Sequence, residues 1–339
     1  MGKTVADIAQ EFNLSITTVR FIIGGNAQRY RISAKTEKKV KDYIEKHGLI
    51  VNHAARSLKL KKTETLGIII PRLSNPFFAR LIETFEAHCR SLGYQLIFSC
   101  SQNNDKEEAN LIRMMLSRGV DGLFIACNSK ESQQYAIQSV SKPIVFIDRD
   151  FGIGKLNSVI TDNFGGGYQL AQAILKDNEH ELIVFIGDES LPTIASRLAG
   201  IEKYCSEHLK KSFKVIKLKG NSAEYGQKGM QTYLKKNSLP RCMVTSSLNI
   251  LEGCLYAAKN AKLVFNERAI FGTFDYHPML EFLNNELWVV EQNRQELVQV
   301  AFEMMMNMLQ SNQDEDISST LQNNKTFSSN PCLINLNHK

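Results

Sequence analysis

Residues 4–23 read TVADIAQEFNLSITTVRFII. Val5, Ile8 and Ala9 recur at helical spacing, Phe12-Asn13-Leu14-Ser15 breaks the pattern, and Val19, Ile22 and Ile23 resume it. The spacing predicts two short helices around a tight turn. Asn13 tolerates the left-handed turn conformation, and Ser15 is placed to N-cap the second helix. That is a helix-turn-helix, whose second helix fits a DNA major groove. Gly24-Gly25-Asn26 marks a turn, Gln28-Arg29-Tyr30-Arg31 a basic loop, and Ser33 the cap of a third helix over Lys35–His47, stopped at Gly48.

The charge of the chain is concentrated on this stretch. Residues 1–62 carry 13 Lys and Arg against 5 Asp and Glu, whereas the rest of the 339 residues holds 28 against 30. A basic head on a near-neutral body suggests that only the head meets a polyanion. The seven cysteines are scattered and never in CxxC spacing, so neither a disulfide framework nor a zinc site is indicated; this fits a reducing cytoplasm. No apolar run has the length of a signal-peptide core or a membrane span.

Residues 51–65, VNHAARSLKLKKTET, are basic, with Leu58 as the one bulky apolar residue among basic neighbours. Two readings stand: an ordinary linker, or a short helix that orders on contact and wedges a base step. From Leu66 the pattern changes. Apolar strands (LGIIIP, YQLIFSC, GLFIAC, KPIVFID and SVITD) alternate with amphipathic helices, and the alternation restarts at LIVFIG and runs through KVIKL, CMVTSS and AIFGTFD. This pattern predicts an α/β protein with two doubly wound parallel sheets in two similar lobes. Glu296–Leu309 reads as a late helix, Gln310–Asn324 as a polar connector and Cys332–Leu336 as a last strand.

TVADIAQEFNLSITTV, RISAKTEKKV, NHAARSL, LGIIIP with SNPFF, SVITDN, ASRLAGI, FGTFD and VVEQN, in this order, resemble the LacI/GalR family of bacterial transcriptional repressors over essentially the whole chain. AQRYRIS, NILEG and EQNRQEL resemble its sucrose-operon and fructose repressor branch. The resemblance implies a helix-turn-helix DNA-binding domain (1–50), a hinge segment (51–65) and a periplasmic-binding-protein-like core (66–339). Lobe 1 of that core would span about 66–162 and 292–323, and lobe 2 about 163–291 and 324–339. It implies a homodimer on operator DNA, controlled by a sugar or sugar phosphate such as fructose, fructose 1-phosphate or sucrose, with no cofactor, metal or membrane partner and no catalysis. By the resemblance Leu58 is the minor-groove wedge.

On the DNA side the resemblance assigns base reading to Ile16, Thr17 and Phe21, through thymine methyls and a base edge; Phe21 reads equally as a core aromatic. Ser15, Thr18 and Arg20 share the start of that helix. Arg29, Tyr30 and Arg31 suit phosphate, and Thr4, Asn52, Ala55 and Arg56 complete the set with Leu58. In the core, Asp148, Arg197 and Asp275 match ligand positions of the family, with Arg197 at the start of its helix and Arg149 as a ligand contact or a bridge between lobes. Phe77 and Phe78 either stack on a sugar or pack the core. Ser246-Ser247-Leu248 departs from the Asn-Asp common there, leaving Ser247 to bond a hydroxyl. Arg72 stands where relatives often carry an acid, and with Arg149 and Arg197 it biases the cleft toward a phosphate. The alternatives are a periplasmic-type sugar-binding protein, or a regulator answering a purine or another hexose; GxSxG, GxxxxGKS and HExxH are absent.

Overall fold

The computed structural model describes residues 2–50, 62–154, 156–176, 180–208, 213–311 and 325–336. The chain falls into two compact units, Met1–Thr63 and Glu64–Lys339. Asn52, Ala55, Arg56 and Leu58 lie outside the described residues.

The small unit holds β1 (Lys3–Thr4), α1 (Val5–Glu11), α2 (Ile16–Ile23), α3 (Ala34–His47) and β2 (Leu49–Ile50), the two strands pairing in parallel. Its boundaries are set by side-chain caps. Thr4 and Asp7 form a capping box on α1, Ser15 accepts the Thr18 N–H, and Ser33 accepts the Thr36 N–H. Asn13 takes a φ of 50°, so the turn between α1 and α2 closes as its residue type allows. Ile8, Ala9, Val19, Ile22, Ala27 and Val40 form the core. Ile23, expected on the apolar face, is 39% exposed, because consecutive helical residues point about 100° apart and Ile22 takes the inward direction.

In the large unit, lobe 1 contains β3 (Thr65–Ile70), α4 (Pro76–Ser91), β4 (Gln95–Cys100), α5 (Asp105–Ser117), β5 (Gly122–Ile125), α6 (Lys130–Ser139), β6 (Ile144–Ile147) and β7 (Ser158–Thr161). Lobe 2 contains α7 (Asn163–Leu175), β8 (Leu182–Ile186), α8 (Pro192–His208), β9 (Lys214–Lys217), α9 (Ala223–Leu234), β10 (Cys242–Thr245), α10 (Leu248–Asn260), β11 (Ile270–Phe274) and β12 (Glu286–Glu291). The chain then returns through α11 (Arg294–Ser311) and β13 (Thr326–Ser329) to lobe 1, and ends in β14 (Cys332–Leu336). The sheet orders are β13-β7-β6-β5-β3-β4 and β14-β12-β11-β10-β8-β9. Apart from the added edge strands, the two lobes share one doubly wound topology, whose ligand crevice lies outside the carboxyl ends of the strands. Three passages join them: at Asp162, at Gln292–Asn293 and at Asn330–Pro331.

Four local readings change. Thr65 belongs to β3, not to the hinge segment. Thr326–Ser329, placed by sequence in lobe 2, pairs in parallel with β7 of lobe 1; TFSS offers little apolar signal, and the open edge of β7 satisfies its backbone. Cys332–Leu336 runs antiparallel to β12, since the chain reverses after leaving lobe 1. Helix α6 has no counterpart in the sequence reading; the residues it buries fully are Ser132, Gln133 and Ala136, so its apolar signal is weak.

Candidate ligand cleft and nucleic-acid interface

Asp148 and Asp275 hold equivalent places. Each follows the fourth strand of its lobe, β6 or β11, and each has a positive φ, 65° and 73°. Their amides donate to the neighbouring strand, Asp148 N–H to Val159 O (2.9 Å) and Asp275 N–H to Val290 O (3.0 Å). A left-handed non-glycine residue is uncommon and persists only where the surroundings enforce it. Here the same strained turn sets a nearly buried carboxylate at the mouth of both sheets.

Arg197 lies between them. It is 4% exposed, and Nε donates to Asn163 Oδ1 (2.8 Å) while Nη1 donates to Ser246 O (2.7 Å). Its guanidinium rests 4.1 Å from the centroid of Phe274. Pro192 starts α8, so Arg197 falls in the second turn rather than at the helix start expected from sequence. Arg149 Nε lies 3.4 Å from Asp148 Oδ2, and Nη1 donates to Cys127 O (3.0 Å); both partners are in lobe 1.

Burial pushes the Asp148 carboxyl above the ordinary carboxylate range, opposed by Arg149 and Arg197 and reinforced by Asp275. Burial likewise lowers Arg197, opposed by Asp275 and Asp148. The four groups therefore form one electrostatic cluster spanning both lobes. A carboxylate raised in the fold has linked stability that is present below its unfolded pKa of about 3.9 and is lost as pH rises through the raised value. Asp148→Asn removes this loss, so the urea midpoint of the variant relative to wild type is expected to climb as pH rises from about 3.9 through the raised value; a pH-independent difference would remove Asp148 from the pH response.

Sequence reasoning missed the residue that ties this cluster to the passages between lobes. Gln292 Nε2 donates to Asp275 Oδ1 (2.7 Å), and its Oε1 accepts from Thr161 Oγ1 (2.7 Å). Asn163, also missed, holds Arg197 and donates to Thr161 O. The mark Gln292 carried in the sequence was its place in the VVEQN motif, which the structure puts at the end of β12.

Other expected residues are engaged elsewhere. Phe77 and Phe78 are 5% and 2% exposed in the lobe-1 core, which is the packing alternative; Phe78 also faces Arg149 at 5.8 Å. Ser247 Oγ caps α10 at Ile250 N–H (3.5 Å), and Ser246 Oγ accepts from Gly187 N–H (3.0 Å). Arg72 is exposed and makes no ion pair among the described residues. It does not share the buried cluster, whose two guanidiniums already face two carboxylates.

On the small unit, Ile16, Thr17 and Arg20 are exposed on α2. The Ser15 and Thr18 hydroxyls bond each other at 2.8 Å, and Thr4 serves α1 as its cap. Phe21 is half-buried and lies outside the small unit's core cluster. It stacks face to face on Tyr30, with centroids 3.5 Å apart and rings 4° from parallel. The Arg29 guanidinium lies 5.9 Å from the Tyr30 centroid, and Arg31 occupies the loop with a φ of 56°. Among the described residues no group of His, Cys, Asp and Glu suits a metal, and no helix is long and apolar enough to cross a membrane.

Residues 66–313 match the profile described as periplasmic binding protein domain. The chain belongs to that family. Its relatives place it in the LacI/GalR repressor branch. The fructose operon regulatory protein of Vibrio cholerae is 28% identical over 284 residues, covering 83% of this chain and 86% of that protein. The PurR repressor of Escherichia coli is 26% identical over 316 residues, 92% of each chain. Two solved structures share the fold. One is the Cra transcriptional dual regulator of Pseudomonas putida in complex with fructose 1-phosphate (TM-score 0.69, 23% identity, 80% of this chain and 98% of that one). The other is the Lac repressor dimer bound to operator and an anti-inducer (TM-score 0.80, 18% identity, 98% of both). These relatives are transcription regulators rather than enzymes.

Proposed function

We propose that this LacI/GalR-family chain is a cytoplasmic homodimeric repressor of sugar-uptake genes whose hold on operator DNA is controlled by a fructose-class effector in the cleft between lobes. The observation that carries the reading is the cluster Asp148–Arg149–Arg197–Asp275. Two carboxylates, each on a strained turn, and two guanidiniums are suited to pairs of hydroxyls on one small polar ring. Gln292 and Thr161 join that cluster to the passages between lobes, so a ligand that engages Asp275 alters the groups about which the lobes turn. The shift in operator affinity is bounded by the effector's differential affinity for the two lobe geometries.

Ile16, Thr17 and Phe21 read the bases, and Arg29, Tyr30 and Arg31 meet backbone phosphate. By family resemblance the hinge residues Asn52, Ala55, Arg56 and Leu58 reach the minor groove. The test is release of a complex with DNA upstream of the chain's own gene, titrated with fructose, fructose 1-phosphate and sucrose. Release by one or more is expected, and no response to any of them would discard the effector class.

Self-association has a candidate face on lobe 2. Met279 and Phe282 are 64% and 78% exposed, and Leu248, Leu251, Leu255 and Leu280 line an open groove of about 550 Å³ beside them. An apolar patch of this kind marks a contact surface, and a second copy is the occupant proposed, because two heads on one pseudo-palindromic operator require a two-fold pair. Phe282→Asp is expected to convert the dimer to monomer in sedimentation and to weaken operator binding. An intact dimer would place the interface elsewhere.

A further inference from the structure

One buried acid has no part in the cluster described so far. Glu108 lies on α5 at 0% exposure, and its Oε2 accepts the Asn128 N–H at 2.9 Å. The carbonyl of that same peptide unit, Cys127 O, accepts Arg149 Nη1 at 3.0 Å. One peptide group thus stands between carboxylate and guanidinium, its N–H toward the negative group and its C=O toward the positive one. Arg149 answers two carboxylates, Asp148 at 3.4 Å and Glu108 beyond the peptide. Asn128 Nδ2 and Gln133 Nε2 are buried without a hydrogen-bond partner. Atoms in that state are costly unless something completes them.

We propose that Glu108 is a positioning residue that sets whether the cleft takes a neutral sugar or its phosphate ester. The inference rests on the effector reading above. When Glu108 is ionised, three carboxylates meet two guanidiniums, and the lobe-1 wall repels an anion. When it is protonated, the charges of the cluster balance and Arg149 can turn its field toward a phosphoryl group. Burial pushes Glu108 above the ordinary carboxylate range, hydrogen bonds from Asn128 N–H, Ser132 and Cys127 oppose the rise, and Asp105 on its own helix adds to it. The groups facing it are Ser132 from α6, Cys127 and Asn128 from the loop after β5, and Arg149 from the turn after β6.

The experiment is calorimetric titration of the full chain, as wild type, Glu108→Gln and Glu108→Asp, with fructose, fructose 1-phosphate and inorganic sulfate. Gln keeps an acceptor for the Asn128 N–H and loses the charge. Glu108→Gln is expected to raise the preference for the phosphate ester over the free sugar roughly tenfold, while Glu108→Asp stays near the wild-type ratio. Equal losses for both ligands would mean a purely structural role and overturn the inference. Sulfate keeps its charge across the range, so its affinity for wild type is expected to rise as pH falls and Glu108 takes up its proton. A smaller rise is expected in Glu108→Gln, and equal rises overturn the idea. If wild type binds neither sugar, the effector reading fails, and sulfate alone decides: tighter binding by Glu108→Gln supports the role of Glu108, and equal binding rejects it.

Discussion

Replacing Arg197 by alanine is expected to give a repressor that holds its operator and no longer releases it. The guanidinium is nearly fully buried, bonded to Asn163 Oδ1 and Ser246 O, and stacked on Phe274. Its removal leaves Asp148 and Asp275 as buried acids with a single countercharge between them. Losing the two buried charge-assisted hydrogen bonds costs about 3–5 kcal/mol of stability. Effector affinity is expected to fall by about 3 kcal/mol, or roughly 100-fold. The small unit has its own core of Ile8, Val19, Ile22 and Val40, so DNA binding without effector survives. Arg197→Lys is not expected to restore release, because a compact ammonium lacks the planar fork whose Nε and Nη1 reach Asn163 and Ser246 while its face rests on Phe274. Operator retention paired with effector release separates the possibilities: normal release by Arg197→Ala removes Arg197 from the site.

The second large effect is steric. A Cβ on Gly200 would run into the Phe164 carbonyl oxygen and approach Tyr168 N at 2.8 Å. A Cβ on Gly167 would meet the carbonyl of Arg197 itself. Helices α7 and α8 therefore touch backbone to backbone at these two residues. The obstruction is main chain on both sides, so no rotamer change relieves it. Gly200→Ala is expected to cost about 3 kcal/mol in urea denaturation and to weaken effector binding, because α8 carries Arg197. A variant with wild-type midpoint would show that the helices separate freely. On the other side of lobe 2, Gly226 and Gly253 face the backbones of α10 and α9 in the same way.

The glycines illustrate what was hard to see. Three consecutive glycines, Gly165-Gly166-Gly167, have low intrinsic helix propensity. In the structure Asp162 caps Gly165 N–H (2.8 Å), and the helix starts at Asn163. Low intrinsic propensity is overridden because each missing side chain admits a neighbour: Asp162 itself, then Phe274, Val290 and Pro331, then the Arg197 backbone. Glu108 was visible in another sense. It occupies the apolar stripe of α5 with Leu111, Ile112 and Met115, at spacings of three, four and seven residues. A charged residue on such a stripe is a buried charge, although its partners come from segments distant in sequence.

What the sequence by itself determined is whatever a local pattern encodes. The helix-turn-helix follows from Asn13, the Ser15 cap and the apolar spacing around them. The alternation of apolar strands with amphipathic helices determines two doubly wound lobes, and motif order determines the family. These signals are legible because each residue type acts within a few positions of itself. Tertiary structure alone decided the rest: the pairing of Thr326–Ser329 with β7, the stacking of Phe21 on Tyr30, the matched left-handed turns at Asp148 and Asp275, and the bonds of Gln292 to both lobes. Those depend on which backbones and charges meet after the chain has crossed three times between lobes. A polar residue at the end of a strand carries no local mark of the partner it will find there, because that partner is supplied by a distant segment.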